Sequence, residues 1–266
     1  MKHFTTALLL LAAQGTMAQS KAKAAKQAAP VTLAPFQRIE VKTTPWHKRP
    51  AVIYLPEAAK GERLPLILCM HGKSIAGDDV SKVFRQGVTR QVHEGKKIEA
   101  VNPKDGKRYK FIILAPLSDS WGLSPDQVNN VLDDVLKRYP IDSTRIYITG
   151  YSAGGWAVAM AVTDARLSKR LAAAVNMSPA AIEEPNMSSF RNTAKANLPT
   201  WYFAGAQESF FYDRTKMYID STNKYKRGLT RLSVGDHAHC CWEKYFNPAF
   251  RENGTSIYEW MLQYKR

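Results

Sequence analysis

The chain alternates short, nearly continuous apolar runs with longer stretches whose apolar residues return every three or four positions. Residues 64–70 (LPLILCM), 109–115 (YKFIILA), 145–149 (RIYIT), 171–177 and 198–204 are the apolar runs, and 228–234 is read as a further strand. Runs of this kind are what a strand shows when helices cover both faces of a parallel sheet. Two earlier stretches, 36–41 and 51–55, alternate apolar and polar residues on either side of a turn at Pro45, the pattern of two edge strands in a hairpin-like pair. Helical spacing fills the gaps. It places Val80, Val83, Phe84 and Val88 within 78–91, and Val128, Val131, Leu132, Val135 and Leu136 behind Ser124-Pro125-Asp126. Further helices are expected at 157–165, 211–225 and 256–264. Strand followed by helix, repeated almost to the end, predicts an α/β domain with a mostly parallel central sheet between helices. Residues 178–197 are the main excursion between strands, so any lid is expected to be small or absent.

Composition changes this picture mainly at the N-terminal end. The 266 residues, 45% hydrophobic, suffice for one large core. Lys2 and His3 precede the apolar run from Phe4 to Ala13 and the small-x-small sequence Thr16-Met17-Ala18, which predicts a secretory signal peptide over 1–18. Residues 19–35, rich in Ala, Lys and Gln, predict a flexible linker. The main folded domain is then expected over 36–266, in a secreted or periplasmic protein. No later stretch has the apolar length of a bilayer span, so stable membrane insertion is not expected.

Lys and Arg outnumber Asp and Glu by 38 to 23, a net charge of +15 that admits nucleic acid, an anionic envelope surface or an acidic polysaccharide as partner. The basic residues are scattered, without the interleaved aromatics of nucleic-acid modules, and nucleic acid is not expected. Three cysteines, Cys69, Cys240 and Cys241, are too few for a disulfide framework. The adjacent pair could close a vicinal disulfide, remain as two thiols, or give one partner to Cys69.

The chemistry gathers at Gly150-Tyr-Ser-Ala-Gly-Gly155, between the apolar run 145–149 and a small-residue helix. A serine on a tight strand-to-helix turn projects its hydroxyl from the carboxyl edge of the sheet, and flanking glycines remove Cβ atoms that would clash there. Ser152 is the candidate nucleophile. The amide of Ala153, at the helix N-terminus, faces a developing oxyanion. A second oxyanion donor is expected after the run 64–70, from the amide of Lys73 in His71-Gly72-Lys73-Ser74, with Ser74 as the alternative and the His71 ring kept for a structural bond.

A serine nucleophile needs a histidine base oriented by a carboxylate. With the chain order serine, acid, histidine, His237 and His239 qualify, both in Gly235-Asp-His-Ala-His-Cys-Cys-Trp242, and spacing alone does not separate them. A metal at this His-x-His-Cys-Cys stretch is not expected, because no second ligand cluster accompanies it.

At these residues the chain resembles secreted esterases of the α/β-hydrolase fold, the group of feruloyl esterases, polyhydroxybutyrate depolymerases and predicted peptidases. The likeness runs through Ala51-Val-Ile-Tyr-Leu-Pro56, Leu64 to Gly72, Tyr139-Pro-Ile-Asp142, Arg145 to Gly155, His239-Cys-Cys-Trp242 and Tyr258-Glu-Trp-Met-Leu262. The resemblance implies a histidine three before a tryptophan, which favours His239, and an acid after a strand in a Gly-x-x-Asp pattern, which lands on Glu208. Glu in place of Asp is a departure, and Asp213 and Asp236 remain rivals. The implied activity is cofactor-free hydrolysis of a small ester or glycan ester. A serine peptidase of the same fold and a catalytically weak glycan-binding protein are the alternatives. Trp121 and Phe210 are the leading substrate-side aromatics, with Trp156, Phe211 and Tyr212 nearby in sequence.

Overall fold

The structure is a computed structural model that describes residues 32–266, which form one compact unit. The expected signal peptide and most of the expected linker lie outside the described residues. The end of that linker is docked: Leu33 packs against the core, and the carbonyl oxygen of Thr32 lies 2.9 Å from His93 Nε2.

Ten strands and seven α-helices are described. The strands are β1 Gln37–Lys42, β2 Lys48–Tyr54, β3 Leu64–Met70, β4 Glu99–Val101, β5 Arg108–Lys110, β6 Ile112–Pro116, β7 Ile141–Tyr151, β8 Ala173–Met177, β9 Thr200–Gly205 and β10 Thr230–Gly235. The helices are α1 Gly87–His93, α2 Pro125–Arg138, α3 Ala153–Thr163, α4 Phe190–Lys195, α5 Ser209–Asn223, α6 Trp242–Phe246 and α7 Ile257–Leu262. Eight strands form one sheet in the order β1-β2-β6-β3-β7-β8-β9-β10. Pairing is parallel from β6 to β10 and antiparallel at β1–β2 and β2–β6.

The run 64–70 shows why the strands carry no polar alternation. Leu64, Leu66, Leu68 and Met70 face one core layer, with α2 and α3 residues, while Ile67 and Cys69 face the other, with α1, α6 and α7 residues. Both faces are dry, so both parities must be apolar. The start of α2 is set by chemistry visible in the sequence. Ser124 Oγ accepts from the Gln127 amide, and Gln127 Oε1 accepts in return from the Ser124 amide.

Two expectations are corrected. The helix expected over 78–91 is a 3-10 helix, Val80–Arg85, followed by a break and the short α1, because Gln86 is extended and Gly87 takes φ +81°. The strand expected at 109–115 divides at Phe111, its first part pairing with β4 in a separate two-stranded sheet. The excursion 178–197 contains a 3-10 helix, Glu184–Ser189, and α4. No helix among the described residues is long and apolar enough to cross a membrane.

Candidate active site

β7 ends at Tyr151 and α3 begins at Ala153, so Ser152 alone makes the corner, at φ 56° and ψ −119°. A non-glycine residue holds such angles only where its surroundings fix them. The glycines show that fixation. A Cβ on Gly150 would lie 2.6 Å from the carbonyl carbon of Gly154 and 2.9 Å from Met70 Cβ, and one on Gly154 would strike the Met70 backbone. On Gly155 it would lie 2.7 Å from both Asn176 Oδ1 and Pro179 Cα. The corner is therefore pressed against the ends of β3 and β8, and the Ser152 amide donates to Met177 O at 3.1 Å.

The hydroxyl of Ser152 faces the loop that follows β10. Ser152 Oγ donates to His239 Nε2 at 2.9 Å, and His239 Nδ1 donates to Glu208 Oε2 at 2.6 Å. Glu208 caps the start of α5 just after β9. Its side chain folds back over the turn, so that Oε1 accepts from the Gly205 amide at 2.6 Å and from the Ser178 hydroxyl. The longer glutamate arm is accommodated by this return path. Glu208 is buried, and its carboxylate charge is met by three donors, which offsets the loss of water.

The sequence pointed to Trp242 and Phe211 without the contacts they make, and Ser178 was missed. Trp242 Nε1 donates to Ser178 Oγ at 3.1 Å, and the Trp242 ring stacks on Tyr151 with centroids 4.8 Å apart. Phe211 stacks on the His239 imidazole at 3.7 Å, with the planes 15° apart. Ser178 follows the buried strand β8 at φ +43°, and a serine directly after a strand was its one sequence signal.

The rivals are engaged elsewhere. His237 Nε2 accepts from Tyr245 at 2.6 Å, and its Nδ1 donates to Ala238 O at 2.7 Å. Burial pushes the Tyr245 phenol up to about 12, so that hydroxyl remains a donor. Asp236 is exposed and accepts from Gln207 Nε2 at 2.9 Å, while Asp213 is exposed and pairs with Lys216 at 3.0 Å.

Lys73 opens a short 3-10 turn after β3, and Ala153 opens α3. Among the described residues neither amide has a hydrogen-bond partner. His71 is buried, with Nδ1 donating to Gly72 O at 2.9 Å and Nε2 accepting from the Ser118 amide at 3.0 Å. Desolvation lowers its pKa, which keeps the ring neutral. The loops after β3 and β6 share a buried clamp, the Arg49 guanidinium. It pairs with Asp78 at 3.0 Å and Asp119 at 2.6 Å and donates to Gly77 O and Ser118 O.

Trp121 lies on the loop after β6, 37% exposed, with Lys73 Nζ 5.5 Å from its ring centroid. The next residue, Gly122, lies against Ala153, since a Cβ there would sit 3.1 Å from Ala153 O. Phe210 is 52% exposed and meets Phe211 edge-to-face at 5.3 Å. Phe211, not Phe210, is the ring in contact with His239.

Cys240 and Cys241 are joined in a vicinal disulfide, and Cys69 is a buried free thiol. His237, Cys240 and Cys241 bring ligand-type atoms within 4.8 Å of one another, but the two sulfurs are bonded together and offer no thiolate to a metal.

The prolyl oligopeptidase family matches residues 122–243, a stretch that contains Ser152, Glu208 and His239. Among solved structures, a thermostable esterase superposes with a TM-score of 0.62 at 18% identity, over 87% of this chain and 63% of the esterase. The acylaminoacyl peptidase of Pyrococcus horikoshii gives 0.59 at 13% identity, over 80% of this chain and 40% of that one. The S-formylglutathione hydrolase of Staphylococcus aureus gives 0.59 at 16% identity, over 85% of this chain and 96% of that one. The chain thus spans less than two thirds of the esterase and less than half of the peptidase. No curated protein sequence matches. The fold is the α/β-hydrolase fold, and the family matched and the neighbouring structures are those of esterases and peptidases.

Proposed function

We propose that the protein is a serine esterase that forms an acyl-enzyme on Ser152. The observation that carries this reading is the unbroken path from Ser152 Oγ through the His239 imidazole to the Glu208 carboxylate. Glu208 fixes the tautomer with the proton on Nδ1, leaving Nε2 free to take the serine proton as Oγ attacks the ester carbonyl. The oxyanion that forms is held by the amides of Lys73 and Ala153, at the N-terminus of α3 where the helix dipole favours negative charge. His239 returns the proton to the leaving alkoxide. Water then enters by the same base and releases the acid.

Trp121, beside Lys73, and Phe210, against the Phe211 ring that stacks on His239, are exposed aromatic surfaces, and an aromatic acyl group or a sugar ring is the substrate they suit. The basic leader sequence and the linker composition support export, to the periplasm or beyond. The match to the prolyl oligopeptidase family favours a second reading, hydrolysis of a peptide amide by the same residues. Esters have the better leaving group and are ranked first.

Matched p-nitrophenyl ester and p-nitroanilide substrates of one acyl group separate the two. The esterase reading expects turnover of the ester far above the anilide, and a loss of about ten-thousand-fold in kcat for Ser152→Ala. Unchanged ester turnover in that variant overturns it, and faster anilide cleavage establishes the peptidase instead.

A further inference from the structure

The catalytic histidine and its anchor are separated by two residues that are covalently joined to each other. Upstream, His239 holds Ser152 and Glu208. Downstream, Trp242 is buried, stacked on Tyr151 and bonded to Ser178, whose hydroxyl donates to Glu208. Cys240 and Cys241 form the only covalent link within this stretch beyond the chain itself, and Cys241 is exposed. A crosslink between neighbours closes no chain loop. In the loop-entropy account stabilisation grows with the number of residues enclosed, so this bond contributes little to global folding, and its effect is local.

The local effect is on backbone direction. Cys241 lies at φ +70° and ψ 15°, left-handed, and caps the start of α6. Non-glycine residues leave that region when nothing holds them there. The disulfide restrains the turn at the point where the chain passes from the half-exposed base to its buried anchor. Cys69, by contrast, is buried, and burial pushes its thiol pKa upward, so it is a poor partner for thiol exchange.

We propose that Cys240–Cys241 is a thiol-exchange site that switches the hydrolase. Closed, it holds His239 in line with Ser152 and Glu208; opened by an external dithiol, it lets the base drift. In the opening step the dithiol's thiolate attacks the exposed sulfur of Cys241, and a second attack within the mixed disulfide releases it. Two electrons and two protons pass to Cys240 and Cys241, and the dithiol leaves as its cyclic disulfide. This inference rests on the esterase reading, because its signal is ester turnover.

The test uses the whole protein, reduced with dithiothreitol, freed of reductant by anaerobic gel filtration, and then assayed with a p-nitrophenyl ester. Thiols are counted on denatured samples. The expected counts are one thiol before reduction and three after, with kcat lower by about tenfold to a hundredfold in the reduced form, as a small displacement of a catalytic group produces. Reoxidation restores it. The Cys69→Ser variant responds like the wild type, whereas the Cys240→Ser, Cys241→Ser double variant has the low kcat of the reduced form and ignores dithiothreitol. Circular dichroism of the reduced wild type retains the native spectrum. Unchanged kcat with three thiols counted overturns the switch, as does finding three thiols before reduction. No ester turnover in the oxidised protein is a different result, the failure of the esterase reading itself.

Discussion

Two turns at the carboxyl edge of one sheet supply the two ends of the proposed catalytic path from Ser152 to His239, and they are held in different ways. The nucleophile turn is fixed by shape: Gly150, Gly154 and Gly155 lie so close to Met70, Asn176 and Pro179 that no side chain fits. The histidine loop, 235–242, is half exposed; its start is pressed against Gly205, but from His237 to Trp242 it is held mainly by point contacts, among them Glu208 on His239, Tyr245 on His237, Ser178 on Trp242 and the Cys240–Cys241 bond. Steric fixation is written into local sequence as small residues, whereas fixation by point contacts depends on partners far along the chain. The first turn resists displacement because its neighbours are backbone.

The largest expected effect separates the two histidines. His239→Gln lowers kcat by about ten-thousand-fold, because no base remains within reach of Ser152, while His237→Gln stays within severalfold of wild type. Steady-state ester kinetics of the pair decide it, and equal losses in both variants break the assignment. Next comes the carboxylate. Glu208→Gln costs about a thousandfold or more through the wrong imidazole tautomer, whereas Asp213→Asn and Asp236→Asn leave kcat near wild type. A thousandfold loss in Asp236→Asn moves the acid to the other side of the loop.

The contrast between shape and point contact sharpens at the third step. Gly154→Ala forces a Cβ into the Met70 backbone and destabilises the protein by about 2–3 kcal/mol, visible as a lower urea midpoint. Ser178→Ala removes one donor from Glu208 and the acceptor of Trp242 Nε1, lowers kcat about tenfold with KM unchanged, and destabilises the protein by about 1 kcal/mol, less than Gly154→Ala. If Ser178→Ala unfolds the protein as readily as Gly154→Ala, the two turns are not held differently.

The smallest effect lies at His71. Its folded pKa is depressed by burial, so the unfolded chain binds the proton more readily. The stability this ring contributes is fully present above the ordinary histidine value, about pH 6.5, and is lost as pH falls below it. Urea midpoints at several values from pH 7.5 to 5 therefore fall with acid in the wild type, and more shallowly in His71→Gln. Identical slopes remove His71 from the acid response.

The same contrast explains what could be read from the sequence. Residues 64–70 and 145–149 announced buried strands because both faces are covered, and the serine corner announced itself because glycine is the one residue that fits around it. Residues 78–91 misled because apolar spacing says nothing of Gly87, whose left-handed φ breaks the helix. His237 and His239 are two apart with equivalent surroundings in sequence, and what distinguishes them is the Tyr245 hydroxyl, eight residues beyond His237, which captures one ring. Among the acids, Asp213 is taken by Lys216 one turn along its own helix, whereas Asp236 meets Gln207 only once β9 and β10 lie side by side. Ser178 left almost no trace, since a lone serine after a strand is common.

A fluorophosphonate probe followed by intact mass and peptide mapping tests most directly whether the joined groups work together. The account predicts a single adduct on Ser152 in the folded wild type and none in His239→Gln under the same conditions. No adduct on the wild type, or an adduct that forms at the same rate without His239, contradicts it.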